Sequence, residues 1–294
     1  MMHVAQYRNC PLCNKNANSL AFPYCTVFGG IKFNYVRCEE CSTVYVDPIP
    51  SNKIFACMYE KKTYHDNFYD NVEVDKYLEL VAFLKQYIAS DAKILDYGCG
   101  TGNFLKALSL EGIDAYGVEF DSDAASSASK ASNCPVETVN GFSLNSTKTS
   151  FDAIYMGDVL EHLPDPESTL GKVLSNLKYN GVFIVEGPLE INPSPVYWSA
   201  SIFGWFKHLL IPNLAPNTPP HHLYFTGAQQ QRDFFNRIDQ GLYLKYWHVH
   251  ETGWPYIEGG LVKRTIAKIS ILIGGKNIGG SVFGNRFRAV FIKK

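Results

Sequence analysis

The stretch Lys93-Ile94-Leu95-Asp96-Tyr97-Gly98-Cys99-Gly100-Thr101-Gly102 constrains this chain most: a buried-strand pattern runs into a glycine-rich turn, and a helical pattern follows from Asn103 to Leu110. Glycines at alternate positions leave no side chain between the backbone and whatever binds there. They also open a helix whose first N–H groups have no partner within the helix. Such a turn can cradle a cofactor. A dinucleotide fingerprint would place its third glycine at 103, where the chain has Asn103, and it has no strand-end acid such as Asp96. A pyrophosphate binder is therefore disfavoured, and an ordinary tight loop is the plain alternative.

Strand and helix patterns alternate on both sides of this turn. Ala115–Val118 reads as a strand ending in Glu119-Phe120, and Asp121–Ala131 as a Ser/Ala-rich helix. Pro135–Val139 is a short strand with Asn140-Gly141-Phe142 beyond it, and Phe151–Gly157 is another, followed by Asp158. A helix is predicted over Pro166–Tyr179, stopped by Asn180-Gly181, and then a fully buried strand over Val182–Glu186. Leu242–His250 and Phe287–Ile292 read as closing strands. The pattern predicts an α/β fold with a doubly wound, mostly parallel, seven-stranded sheet covered by helices on both faces. Val74–Ile88 carries apolar residues at a helical period and should pack on that sheet. Ligands of such sheets collect at the carboxyl ends of the strands, where Gly98, Glu119, Gly141 and Asp158 fall.

Three ordered segments resemble the class I S-adenosylmethionine (SAM) methyltransferases, a Rossmann-like family: the acid-and-glycine turn from Asp96 to Gly102, the strand ending at Glu119, and Phe151-Asp-Ala-Ile-Tyr-Met-Gly-Asp-Val-Leu-Glu-His-Leu-Pro-Asp-Pro166. The resemblance implies SAM as cofactor, bound by Asp96, Gly98, Gly100 and Gly102. Glu119 would grip the ribose hydroxyls beside Phe120. Gly141 and Phe142 would lie near the adenine, Phe142 either stacking on the purine or packing, and Gly157 and Asp158 near the methionine end. It also implies that a tyrosine from the Tyr-rich segment 54–69, Tyr59 or Tyr64, closes over the cofactor carboxylate; glue between two modules is the plainer role for these rings.

The eight cysteines include two Cys-x-x-Cys pairs, Cys10/Cys13 and Cys38/Cys41, separated by a span rich in strand formers. Four thiolates so spaced can hold one tetrahedral zinc, as in a zinc ribbon, with no position left open for a catalytic water. The rivals are disulfides, disfavoured in a cytosolic chain, and a redox dithiol, which needs one such pair at a helix start. The expected division is a zinc ribbon over 1–52 and a methyltransferase domain over 53–294, with Asp47-Pro48-Ile49-Pro50 near the boundary.

The proline-bracketed, aromatic-rich segment 193–220 reads as a lid insertion or as an interfacial patch; 196–211 and the basic amphipathic helix 261–273 are the two candidates for peripheral membrane contact. No uncharged stretch of about eighteen residues suggests a transmembrane segment, and the start shows no basic region leading into an apolar run, so a cytoplasmic protein is expected. With 27 Lys+Arg against 28 Asp+Glu, no overall field draws the chain to nucleic acid.

Pro220-His221-His222-Leu223-Tyr224-Phe225-Thr226 resembles the histidine segment of methyltransferases acting on sugar nucleotides and similar small acceptors, which join a comparable zinc module to the same core. In some sugar C-methyltransferases a Glu-His pair stands there; here the glutamate position is Pro220. The implied function is methyl transfer to a small-molecule acceptor, sugar-linked or a related natural-product or polysaccharide precursor. Methyl transfer needs the acceptor held in line with the sulfonium, and a base where the acceptor keeps its proton at neutral pH. His221 is the first candidate base and His162 the second, since imidazole titrates near neutrality. Two rivals stand beside this reading: an RNA methyltransferase gripping its substrate through the ribbon, which few cations in residues 1–50 support, and a SAM-binding module without turnover.

Overall fold

The computed structural model describes residues 7–59, 74–142, 150–212, 214–238 and 241–294. In chain order these begin with β1 (Ala17–Phe28), β2 (Ile31–Cys38), β3 (Val44–Asp47), α1 (Asn52–Met58) and α2 (Val74–Leu84). The glycine turn lies between β4 (Lys93–Tyr97) and α3 (Asn103–Leu110), and β5 (Asp114–Glu119), α4 (Ser122–Ser132), β6 (Val136–Thr138) and β7 (Phe151–Gly157) come next. The rest is α5 (Pro166–Ser175), β8 (Leu177–Pro188), α6 (Pro195–Leu210), β9 (Tyr224–Phe225), α7 (Ala228–Arg237), β10 (Leu242–His250), α8 (Leu261–Ile273), the small hairpin β11 (Asn277–Ile278) and β12 (Ser281–Val282), and β13 (Arg286–Lys293).

The main sheet has seven strands in the order β10-β13-β8-β7-β4-β5-β6. Strands β8, β7, β4, β5 and β6 run parallel, while β13 is antiparallel to both of its neighbours. Ile94 and Leu95, on opposite faces of β4, are both fully buried, as a sheet covered on two sides requires. Leu80, Val81 and Leu84 of α2 join Leu105 and Leu108 of α3 in one apolar cluster. The chain leaves β4 toward β5 on one side while β7 flanks it on the other, so a crevice opens beyond the carboxyl end of β4.

Two helix ends depart from the sequence pattern: α2 stops at Leu84, short of Ile88, and the second departure changes an element. The helix expected to reach Tyr179 stops at Ser175, and Leu177 already pairs with Phe151 in the sheet. Asn180 does take a left-handed conformation (φ 61°), but inside an irregular stretch of β8 between the pairs Phe151–Leu177 and Ala153–Val182. The Asn-Gly signal is thus a bulge in a strand instead of a helix cap.

The N-terminal sheet has the order β1-β2-β3-β9, and its last strand comes from residues 224–225. Tyr45 and Tyr224, directly opposite in that pairing, sit in the same apolar cluster as Ile154, Met156 and Phe183 of the main sheet. The N-terminal sheet and the main sheet therefore share one core.

Candidate cofactor crevice and its histidine wall

Gly98, Gly100 and Gly102 all have positive φ (85°, 54° and 81°), a region closed to most side chains. A Cβ on Gly98 would overlap Val159, and one on Gly102 would lie 2.9 Å from Cα of Ala128 in α4. The tight turn thus brings bare backbone to the crevice. Gly98 N–H donates to Val118 carbonyl (2.8 Å), and Gly100 N–H donates to Oε2 of Glu119 (2.7 Å). Oε1 of Glu119 accepts from Phe120 N–H at 2.7 Å, so backbone amides hold this buried carboxylate at the end of β5. Asp96 lies beneath; its Oδ2 is buried with no hydrogen-bond partner among the described residues. Burial, then the charge of Glu119, raises the Asp96 carboxyl well above the usual range.

A cavity of about 480 Å³ opens over this turn, within the size range of small-molecule sites. Of the residues expected from sequence, Tyr59, Gly98, Gly100, Glu119, Phe120, Asp158 and His162 line it. Asp96, Gly102, Gly141, Gly157 and His221 do not. Of the two expectations for Phe142 the packed one is what is seen: it is buried against Tyr116 (ring centroids 5.8 Å apart) in the core, and Val139 and Asn140 stand at the wall instead. Tyr64 lies outside the described residues. The segment 193–220 contributes no lining residue among those described; α6 packs against β1 and α8.

Apart from Tyr59, sequence reasoning missed the wall formed by the linker and α1. Ile49, Pro50, Asn52, Phe55 and Tyr59 all face the cavity. Ser51 caps α1, its side chain accepting from Ile54 N–H, and the helix presents Phe55 and Tyr59 one turn apart. Phe55 meets Phe120 edge-on at 5.1 Å. The signal was a capping serine after two prolines with aromatics at i and i+4; its seven residues are too short for periodicity to reveal.

Tyr59 also joins two distant motifs. Its hydroxyl lies 2.8 Å from His162 Nδ1 and donates to the backbone carbonyl of His221 at 2.7 Å; Nδ1 is 2.8 Å from that same carbonyl. A carbonyl can only accept, so the network assigns the proton of His162 to Nδ1 and the lone pair to Nε2. Leu223 N–H donates to Glu161 carbonyl (2.7 Å), fixing the 221–223 segment against the 160–162 turn. Behind this, His222 pairs with Glu190 (2.6 Å).

Burial, then the charge of His222, pushes His162 well below the ordinary imidazole value, and the same two causes lower His221 to about 4. His222 is raised to about 9: burial opposes its charge, but the bond to Glu190 and the nearby carboxylates prevail. Glu161 is pushed up to about 8, first by burial and then by Asp158. The wall facing the cavity thus carries a neutral imidazole at neutral pH, with the positive charge one residue layer behind it. Asp158, in the left-handed region (φ 54°), is held by Arg286 at 2.6 Å.

Outside the cavity lining, the sulfurs of Cys10, Cys13, Cys38 and Cys41 lie within 4.8 Å of one another. Cys10 faces Cys41 at 3.7 Å and Cys13 faces Cys38 at 3.4 Å. Four sulfurs about 2.3 Å from a zinc stand about 3.8 Å apart, so the spacing fits that ion. The two knuckles are alike: Asn14 and Ser42, each just past its second cysteine, have positive φ and donate N–H to the carbonyls of Cys10 and Cys38.

The methyltransferase-domain family model matches residues 69–228, more than half of the 294 residues, and the chain belongs to that family. Its fold is the Rossmann-like α/β fold of the class I SAM-dependent methyltransferases. A crystal structure of a SAM-dependent methyltransferase from Archaeoglobus fulgidus superposes with a TM-score of 0.50 at 18% identity, covering 79% of this chain and all of that one. An uncharacterized protein of Methanocaldococcus jannaschii is 33% identical over 42% of this chain and 49% of its own length. A putative methyltransferase of Geobacillus is 26% identical over 57% of this chain and 70% of its own length. A ubiquinone biosynthesis O-methyltransferase of Actinobacillus pleuropneumoniae is 31% identical over 31% and 43%. The first of these curated relatives is thus matched over about half its length.

Proposed function

We propose that this protein transfers the methyl group of SAM to a small-molecule acceptor, with the sugar-nucleotide class first among candidates and ring hydroxyls second, since one relative is named an O-methyltransferase of ubiquinone biosynthesis. The observation that carries the reading is the meeting, across one cavity, of a glycine-turn cofactor cradle and a neutral, tautomer-fixed histidine. SAM, when bound, supplies an electrophilic methyl carbon. Bare backbone at Gly98 and Gly100 on the cavity wall and a buried carboxylate at a strand end fit such a nucleoside. Glu119 is suited to accept from its ribose hydroxyls and Gly98 and Gly100 to admit it closely, while Phe55, Phe120 and Val139 supply apolar cover.

His162 is the residue we assign as proton acceptor, ahead of His221, because it lines the cavity and its lone pair is on Nε2. Tyr59 holds the ring through Nδ1. The Asp158–Arg286 pair is suited to the charged methionine end of the nucleoside. At the N-terminus we assign one structural zinc to Cys10, Cys13, Cys38 and Cys41.

The test is titration calorimetry with S-adenosylhomocysteine, followed by turnover on nucleotide sugars and on catechols, with metal content by plasma mass spectrometry. The expected result is binding at one site, turnover on one panel and one zinc per chain. Absence of heat with the nucleoside would sink the enzyme reading, and absence of zinc the ribbon assignment alone.

A further inference from the structure

Helices α6 and α8 carry their side chains the reverse way for helices lying on a protein body. α6 turns Tyr197, Ser201, Gly204 and His208 inward, at i, i+4, i+7 and i+11. Gly204 sits so close to Phe22 of β1 that a Cβ would overlap its ring, and His208 stacks on Tyr24 at 4.1 Å. To solvent the helix offers Ile202, Phe203, Trp205, Phe206, Leu209 and Leu210, with Phe203 68% and Leu210 79% exposed. α8 repeats the inversion: Ala267 and Ser270 are buried, while Leu261 is 77% and Leu272 70% exposed. A surface helix ordinarily buries its large apolar residues. The two helices pack against each other, so their outward faces adjoin.

Charge distinguishes the occupants such a face could take. α6 and α8 together carry Lys207, Lys263, Arg264 and Lys268 and no aspartate or glutamate, although the chain as a whole has net charge −1. A second copy docked by two-fold symmetry would set like charges against one another around the apolar patch. An anionic lipid surface satisfies both parts, taking the aromatic and aliphatic side chains below its headgroups and the cations among them. No described helix is long and apolar enough to cross a membrane, so the helices would lie in its plane.

We propose that the outward faces of α6 and α8 form one platform that seats the protein on anionic membrane surfaces. This goes beyond the methyl-transfer reading and does not depend on it. The experiment is flotation of the full chain with phosphatidylcholine vesicles with and without phosphatidylglycerol, at low and high salt. Binding is expected on the anionic vesicles only, weakening with salt. Phe203→Glu with Leu210→Glu should reduce it at least tenfold, and Lys263→Glu or Lys268→Glu by at least roughly fivefold each. All three variants lie away from the cavity, and an unchanged thermal unfolding curve by circular dichroism verifies that they are folded; should any fail to fold, the lipid and salt dependence of the wild-type chain still decides. No flotation, equal flotation on neutral vesicles, or flotation unaffected by the folded variants overturns the proposal. So does a dimer in sedimentation velocity that does not float and that these variants dissociate.

Discussion

The two walls of the cofactor crevice are built in contrasting ways. On the β4–β5 side, Gly98, Gly100, Glu119 and Phe120 come from a continuous run of some twenty residues, and each is fixed by its near neighbours: Gly100 N–H on Glu119, Phe120 N–H on the same carboxylate. The opposite wall takes Tyr59, His162 and the backbone of His221 from three segments, the hydroxyl bridging separations of 103 and 162 residues. A wall made locally can be damaged only by changing the residues themselves. A wall made at long range can also be lost by moving a segment.

The largest effect should come from the local wall. Gly98→Val would meet Val159 and force a β-branched residue to positive φ, and no cofactor heat should remain in calorimetry. Measurable binding near the wild-type affinity would show that the turn does not carry the cofactor. Next is His162→Ala, which should lower kcat by about 10²–10⁴-fold, the range for a general base, while leaving cofactor affinity within a few fold. His221→Ala should cost less than this, because the wall uses its backbone carbonyl; an equal or larger loss would reverse the order of the two histidines. The smallest is Tyr59→Phe, removing one hydroxyl from the network and costing roughly 1 kcal/mol, about fivefold in kcat.

The pH profile sharpens the same contrast. His162 is held below 6.5, so its basic form persists as pH falls and is lost only on passing the depressed folded value. The acid limb of kcat/KM should therefore lie below pH 6.5, and an acid limb at or above that value would place the base elsewhere.

Legibility in the sequence divides along the same line between local and long-range construction. The glycine turn, Glu119 and the cysteine pairs announce themselves because spacing within a few residues fixes their geometry. The seven strands are readable from period and apolar runs, β13 among them, whereas its antiparallel direction comes from pairing with β8 and β10. Phe142 stays open between stacking and packing in the sequence because position after a strand does not say which way a side chain turns, and the pocket it fills beside Tyr116 comes from another strand. The end of α5 is misread because Asn-Gly suits a cap and a bulge alike, and pairing of Leu177 with Phe151 settles the choice. That Glu161-His162 and His221-His222 meet cannot be read from either motif, since Tyr59 and a two-residue strand bring them together.

That short strand has a practical corollary. Val46 N–H donates to Leu223 carbonyl at 2.9 Å, and Val44 and Tyr45 pair with Phe225 and Tyr224. The amino-terminal hairpin is therefore a splint for the imidazole segment, and a trimmed version beginning at residue 53 would set that segment adrift even if its glycine turn still formed.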